Sequence, residues 1–224
     1  MGDKVEVKCR GIRSIEPVHY RTMSEHTAAN LRESIIRGSI QPGTKITESE
    51  LAEQLDVSRN VVREAVLMLT SEGLMIKECN RYTKVVDFTE KDIVGIFDVR
   101  IAVEKAALKR CISNPGFCDS LEPYSEKIES IMKKTDKDYA ELMYADIAFH
   151  NFIVVSSGNR WLHDTWERIV GPMEMLLYKH MNELQAMKCS HNSLIEIIRG
   201  GNYQKISEAI EHHINDTSKE LLRF

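Results

Sequence analysis

Two helix-start signals standing close together, followed by a glycine and two short β-type runs, constrain this chain more than any other feature. Thr47-Glu48-Ser49-Glu50 sets a Thr three residues before a Glu, the reciprocal capping-box arrangement. Leu51, Ala52 and Leu55 then supply a buried face. After a short turn at Asp56-Val57, Ser58 caps a second helix that runs through Val62, Ala65, Val66 and Leu69 to Gly73. Two helices joined by so few residues form a helix-turn-helix. An earlier helix begins at Thr22, with Ala28, Leu31, Ile35 and Ile36 on one stripe, and ends at Gly38 before a turn at Gln41-Pro42-Gly43. Residues 74–77, 78–82 and 83–86 read as strand, turn and strand, which makes a wing.

On the second of the paired helices Val62, Ala65, Val66 and Leu69 pack inward. Arg59, Asn60 and Arg63 lie together outward, near the helix N-terminus. That end carries unpaired N–H groups and a positive dipole, which suit phosphate. Arg and Asn side chains hydrogen-bond base edges in a major groove. The wing tip adds Asn80 and Arg81, within reach of phosphate or the minor groove. Charge permits this without arguing for it: residues 1–86 hold 13 Lys and Arg against 12 Asp and Glu, and residues 87–224 hold 17 against 22.

Composition adds exclusions. The chain of 224 residues divides most naturally into two domains, and it contains no run of 18 apolar residues. Its first 20 residues lack the apolar core and small-residue cleavage site of a secretory signal, so the expected location is the cytoplasm with no membrane contact. Five cysteines at scattered spacings, without a C-x-x-C pair, read as free thiols.

From residue 89 onward the pattern is a succession of amphipathic helices, near 89–112, 118–134, 137–157, 160–182, 185–199 and 202–222, giving an all-α bundle. In the third, Leu142, Asp146, Phe149, His150 and Ile153 share one face, so a carboxylate and an imidazole fall among residues that should be buried. Burying an ionised Asp without a partner is costly, whereas an Asp and a His one turn apart can bind one cation. His191 is in phase with Leu194, Ile195 and Ile198, and His213 with Ile206, Ile210 and Leu221, while His212 is out of phase and should face solvent. One carboxylate and three imidazoles suit Zn, Ni or Mn better than Ca or Mg. A lone inward His is more often a satisfied core residue; four inward groups together change that balance. Arg100 and Glu104 stand one turn apart beside Phe97, Ile101 and Leu108, either as an i, i+4 ion pair or with Arg100 free to hold an effector's carboxylate. Met173, Met175, Met181 and Met187 read as core or dimer packing.

The run Ser49-Glu50-Leu51-Ala52, then Val57-Ser58-Arg59-Asn60-Val61-Val62-Arg63-Glu64-Ala65, then Glu72-Gly73-Leu74, resembles the signature of the GntR family of bacterial regulators. Many members carry Pro where Val61 stands and Gly where Tyr82 stands. The resemblance implies DNA contacts by Arg59 and Arg63 first, then Ser58, Asn60 and Arg81, with Ser49 a weaker candidate because relatives often have a basic residue there. Asp146-x-x-x-His150, Ser156-Ser157-Gly158-Asn159, His191 and His213 follow the order of the metal-binding subgroup of the FadR branch. That likeness implies metal ligation by Asp146, His150, His191 and His213.

The expected fold is therefore mainly α: an N-terminal extension at 1–21, a winged helix-turn-helix at 22–86 and an all-helical FCD-type (FadR C-terminal) domain at 87–224. The expected function is that of a dimeric regulator rather than an enzyme. It would bind a palindromic double-stranded operator and answer to a small carboxylate metabolite bound near the metal. Repression relieved by ligand is the expected sign, with activation the alternative. A metal-free pocket for a lipid-like or acyl effector, and a helical metalloenzyme, are the rival readings.

Overall fold

The computed structural model describes residues 22–78, 82–136, 138–180 and 191–223. The expected extension at 1–21 lies outside them, as do Asn80 and Arg81 of the wing tip, Met181, Met187, and Cys9, Cys79 and Cys189.

The N-terminal unit is built from α1 (Met23–Ile36), β1 (Lys45–Ile46), α2 (Glu48–Leu55), α3 (Arg59–Ser71), β2 (Met75–Glu78) and β3 (Tyr82–Val85). Its helix starts are capped as the sequence dictates. Thr47 and Glu50 form a complete capping box, Thr22 and Glu25 form another, and the Ser58 hydroxyl accepts from the Val61 N–H. Between α2 and α3 the turn passes through Asp56, which adopts the left-handed conformation (φ 52°) that Asp tolerates better than most residues. Val62, Ala65, Val66 and Leu69 are fully buried against Ala28, Leu31 and Ile35 of α1.

The wing differs from expectation in one respect. The stretch before α2 is not only a turn, because Lys45 and Ile46 pair antiparallel with Lys84 and Thr83. The sheet is thus three-stranded, in the order β1-β3-β2. A two-residue strand leaves no alternation to read, so its partner across the sheet decides it.

Among its described residues the second unit has helices and no strand: α4 (Glu90–Cys111), α5 (Phe117–Met132), α6 (Tyr139–Ser156), α7 (Arg160–His180), α8 (His191–Arg199) and α9 (Tyr203–Leu221). The expected spans match within a residue or two wherever both ends are described. For the span expected at 185–199 only the part from His191 is described. Helices α4, α5, α6, α7, α8 and α9 bury one continuous apolar core, including Phe97, Leu121, Phe149, Trp166, Ile195 and Ile210. Cys111 and Cys118 are free, buried thiols. Among the described residues no helix is long and apolar enough to cross a membrane.

Helix α7 joins the two units. It packs on α6 and on α1, and Met175 enters the N-terminal core.

Candidate functional site

Four helical side chains converge inside the second unit. Asp146 and His150, one turn apart, come from α6, His191 from α8 and His213 from the middle of α9. One potential ligand atom from each lies within 4.8 Å of all the others. Asp146, His150 and His191 are buried, and His213 is largely so, whereas His212 is exposed and pairs with Asp216 at 3.2 Å. The 3.6-residue period accounts for this difference between adjacent histidines, since one step rotates a side chain by about 100°.

The ligand-capable atoms stand close to one another. His191 Nε2 is 3.0 Å from Asp146 Oδ1, close enough for an ion pair, but its geometry makes no hydrogen bond and this buried nitrogen has no hydrogen-bond partner. His213 Nε2 faces His150 Nε2 at 3.3 Å, and His150 Nε2 is 3.9 Å from Asp146 Oδ1. Burial drives His150 below its ordinary value, and burial with the neighbouring imidazoles drives His213 down to about 3. Burial pushes Asp146 up, yet the imidazoles of His150 and His191 outweigh it and hold the carboxyl well below the usual range. The result is one carboxylate facing three imidazole rings. Such a donor set fits a borderline divalent transition metal, and the orphaned His191 Nε2 is the kind of atom an ion would satisfy. These four residues would hold it.

Arg100 and Glu104, left open as a pair or an effector clamp, do form a contact: Arg100 Nε donates to Glu104 Oε1 at 2.8 Å. The pair is not a surface ion pair worth a few tenths of a kcal/mol, because both side chains are essentially inaccessible. The other Glu104 oxygen, Oε2, lies 2.6 Å from His150 Nδ1. Burial alone raises Glu104, but His150 and Arg100 prevail and bring it down to about 2. Sequence reasoning missed this contact. The available signal was that Glu104 falls in phase with Phe97, Ala107, Leu108 and Cys111, so it is an acid on an apolar stripe and needs a partner.

In the N-terminal unit Ser49, Ser58, Arg59, Asn60 and Arg63 are all exposed on the side presented by α2 and the start of α3. Ser49, Arg59 and Arg63 line an open groove together with Lys77 and Tyr82 of the wing strands, neither of which the sequence marked as a DNA contact. Arg63 Nε donates to Glu48 Oε2 at 3.1 Å, a second contact missed because the partners sit on different helices. Arg81 lies outside the described residues.

Comparison with known proteins places both units. Residues 23–85 match the model of the family described as bacterial regulatory proteins, gntR family, and residues 95–216 match the FCD domain. The gluconate operon transcriptional repressor of Bacillus licheniformis is 33% identical over 69% of this chain and 63% of its own length, so the chain spans less than two thirds of that relative. The HTH-type transcriptional repressor RspR of Escherichia coli is 28% identical over 80% of this chain and 85% of its own. Among solved structures, E. coli McbR/YncC superposes with a TM-score of 0.70 at 16% identity, covering 91% of this chain and 99% of its own, which speaks for the fold alone. A GntR-family regulator from Pseudomonas syringae gives 0.52 at 23% identity, over 90% and 85% of the two chains. With one family model covering the winged unit and the other more than half of the chain, this protein belongs to the gntR family of bacterial regulatory proteins and carries an FCD domain.

Proposed function

We propose that this chain is a ligand-responsive transcriptional repressor of the cytoplasm, acting as a homodimer on a palindromic operator in double-stranded DNA. Residues 22–86 bind the duplex, with Arg59 and Arg63 reading base edges and Ser58, Asn60, Arg81 and Ser49 in supporting contacts. Residues 87–224 hold a divalent ion, Zn, Ni or Mn, through Asp146, His150, His191 and His213, and next to it a small carboxylate effector. The observation that carries this reading is the convergence of four donor atoms within 4.8 Å, three of them from buried residues and the fourth from the largely buried His213, in a chain whose other unit is a winged helix-turn-helix. Two relatives named as repressors support the sign of the response.

Charge balance argues for an anionic effector. A divalent ion and Arg100 against Asp146 and Glu104 leave one net positive charge in a buried site, which is costly unless an anion accompanies it. Bound there, the metal would supply Lewis-acid coordination to the effector's carboxylate. A hydrolytic role is disfavoured because Glu104, the further acid at the cluster, has both oxygens committed to Arg100 and His150. Effector binding would reach the DNA through α7, which packs on the ligand-bearing α6 and inserts Met175 into the N-terminal core.

The test is elemental analysis of the purified protein beside His191→Ala and His213→Ala. About one transition metal per chain, lost in both variants, is the expected result. Absence of metal after reconstitution overturns the four-ligand assignment and leaves a DNA-binding regulator with an unassigned pocket.

A further inference from the structure

Glu104 supplies no atom to the four-donor cluster, yet it is the most enclosed carboxylate beside it. It sits on α4, which contributes none of those donors, and it bridges two groups: Arg100 Nε at 2.8 Å on one oxygen and His150 Nδ1 at 2.6 Å on the other. We propose that Glu104, held in place by Arg100, is a positioning residue that fixes the tautomer and orientation of His150 so that its Nε2 lone pair faces the metal position. The inference rests on the four-ligand reading of the site.

The chemistry is one of donor counting. A neutral imidazole has one N–H and one lone pair, and an ionised carboxylate only accepts. At 2.6 Å from a carboxylate oxygen, Nδ1 must carry the proton, because two lone pairs at that distance would repel. Nε2 is then an acceptor, 3.9 Å from a carboxylate oxygen and 3.3 Å from another imidazole nitrogen. Facing the Asp146 carboxylate, that lone pair is repelled unless a cation lies between them, while toward His213 Nε2 the contact depends on which nitrogen of that ring carries the proton. Neutralising the buried Arg100 requires only one carboxylate oxygen, so the placement of the second on His150 is what a purely structural ion pair leaves unexplained. Carboxylate partners of metal-bound histidines orient the ring and raise its basicity, and their loss typically lowers metal affinity by roughly 10–100-fold.

The experiment is a chelator competition for Zn2+ and Co2+ on the full chain, comparing wild type with Glu104→Ala and Glu104→Gln. The Ala variant is expected to bind Zn2+ roughly 10–100-fold more weakly. Gln keeps a neutral acceptor for His150, so it should recover part of that loss and shift the Co2+ absorption bands. Glu104→Ala leaves Arg100 buried without its carboxylate, so it is prone to misfold. Long-range 1H–15N NMR on the metal-free wild type therefore gives an independent readout, with the His150 signals assigned by their loss in His150→Ala. A protonated Nδ1 supports the proposal, and a protonated Nε2 overturns it. A wild type that binds neither ion removes the four-ligand reading and the proposal with it. A wild type that binds both, with Glu104→Gln unchanged in affinity and Co2+ spectrum, removes the proposal alone.

Discussion

Gly73, at the end of α3, presses against Pro172 in the middle of α7, and the two units meet there with no room to spare. A Cβ on Gly73 would come 2.9 Å from the Arg168 carbonyl oxygen and 3.1 Å from Pro172 Cγ. Pro172 has no N–H, so the Arg168 carbonyl lacks its helical partner and is exposed to this approach. Gly73 also has φ +76°, which favours glycine. Gly73→Ala is therefore expected to destabilise the fold by at least about 1–2 kcal/mol from backbone conformation alone, with the clash adding to it. Urea unfolding of the variant checks this, and an unchanged midpoint would show that the units do not meet as described.

A largely buried acid at the same boundary makes stability depend on pH. Glu174 of α7 is pushed up to about 7 by burial, with Glu72, Glu33 and Glu167 adding to the effect and Arg32 opposing it. Arg32 is already committed, forking onto Glu72 at 2.5 and 2.7 Å. The folded value exceeds the ordinary 4.5, so the folded state holds the proton more tightly than the unfolded chain. The stabilisation is complete below about pH 4.5 and is lost as pH rises through 7. Glu174→Gln should match wild type in acid and exceed it at pH 8 by up to about 3 kcal/mol, at 1.36 kcal/mol per pH unit. Parallel pH–stability curves for the two proteins would count against the assignment.

Metal should stabilise the chain by mass action. At about a hundredfold excess over Kd the gain is about 2.7 kcal/mol, which raises Tm by roughly 5–10 °C for a chain of this size. EDTA should reverse the shift, and His191→Ala should abolish it. A thermal melt unaffected by Zn2+, Ni2+ and Mn2+ would contradict the site.

DNA recognition offers a prediction of sign. With an operator selected from a random duplex library by the wild type, Arg63→Ala should cost about 1–3 kcal/mol and relax preference at one position. Glu48 places a negative charge beside Arg63, so Glu48→Ala should strengthen binding to non-specific duplex while blurring the preference at the position that Arg63→Ala relaxes. Gel-shift titrations against operator and scrambled duplex measure both effects, and a Glu48→Ala protein with unaltered discrimination would separate Glu48 from recognition.

How far the sequence reaches can be judged from particular residues. Asp146, His150, His191 and His213 were legible as inward-facing because helical phase is local: each is fixed by apolar neighbours three and four residues away. The caps at Thr47 and Ser58 were legible for the same reason, as the hydroxyl and the N–H it satisfies lie within one turn. The pairing of Lys45 with Lys84, and of Glu48 with Arg63, was not, because each depends on segments brought together only when the sheet and the helix pair form.

By itself the sequence determined which helices form, where the capped ones at Thr22, Thr47, Ser58 and Thr89 start, which face each buries, and that one carboxylate and three imidazoles turn inward. The tertiary structure alone decided that these four meet within 4.8 Å, that Glu104 turns its second oxygen to His150 rather than serving Arg100 alone, and that Gly73 lies against Pro172. Phase is set by 3.6 residues per turn, but meeting requires the crossing of helices far apart in the chain, and that is fixed by how their apolar faces pack.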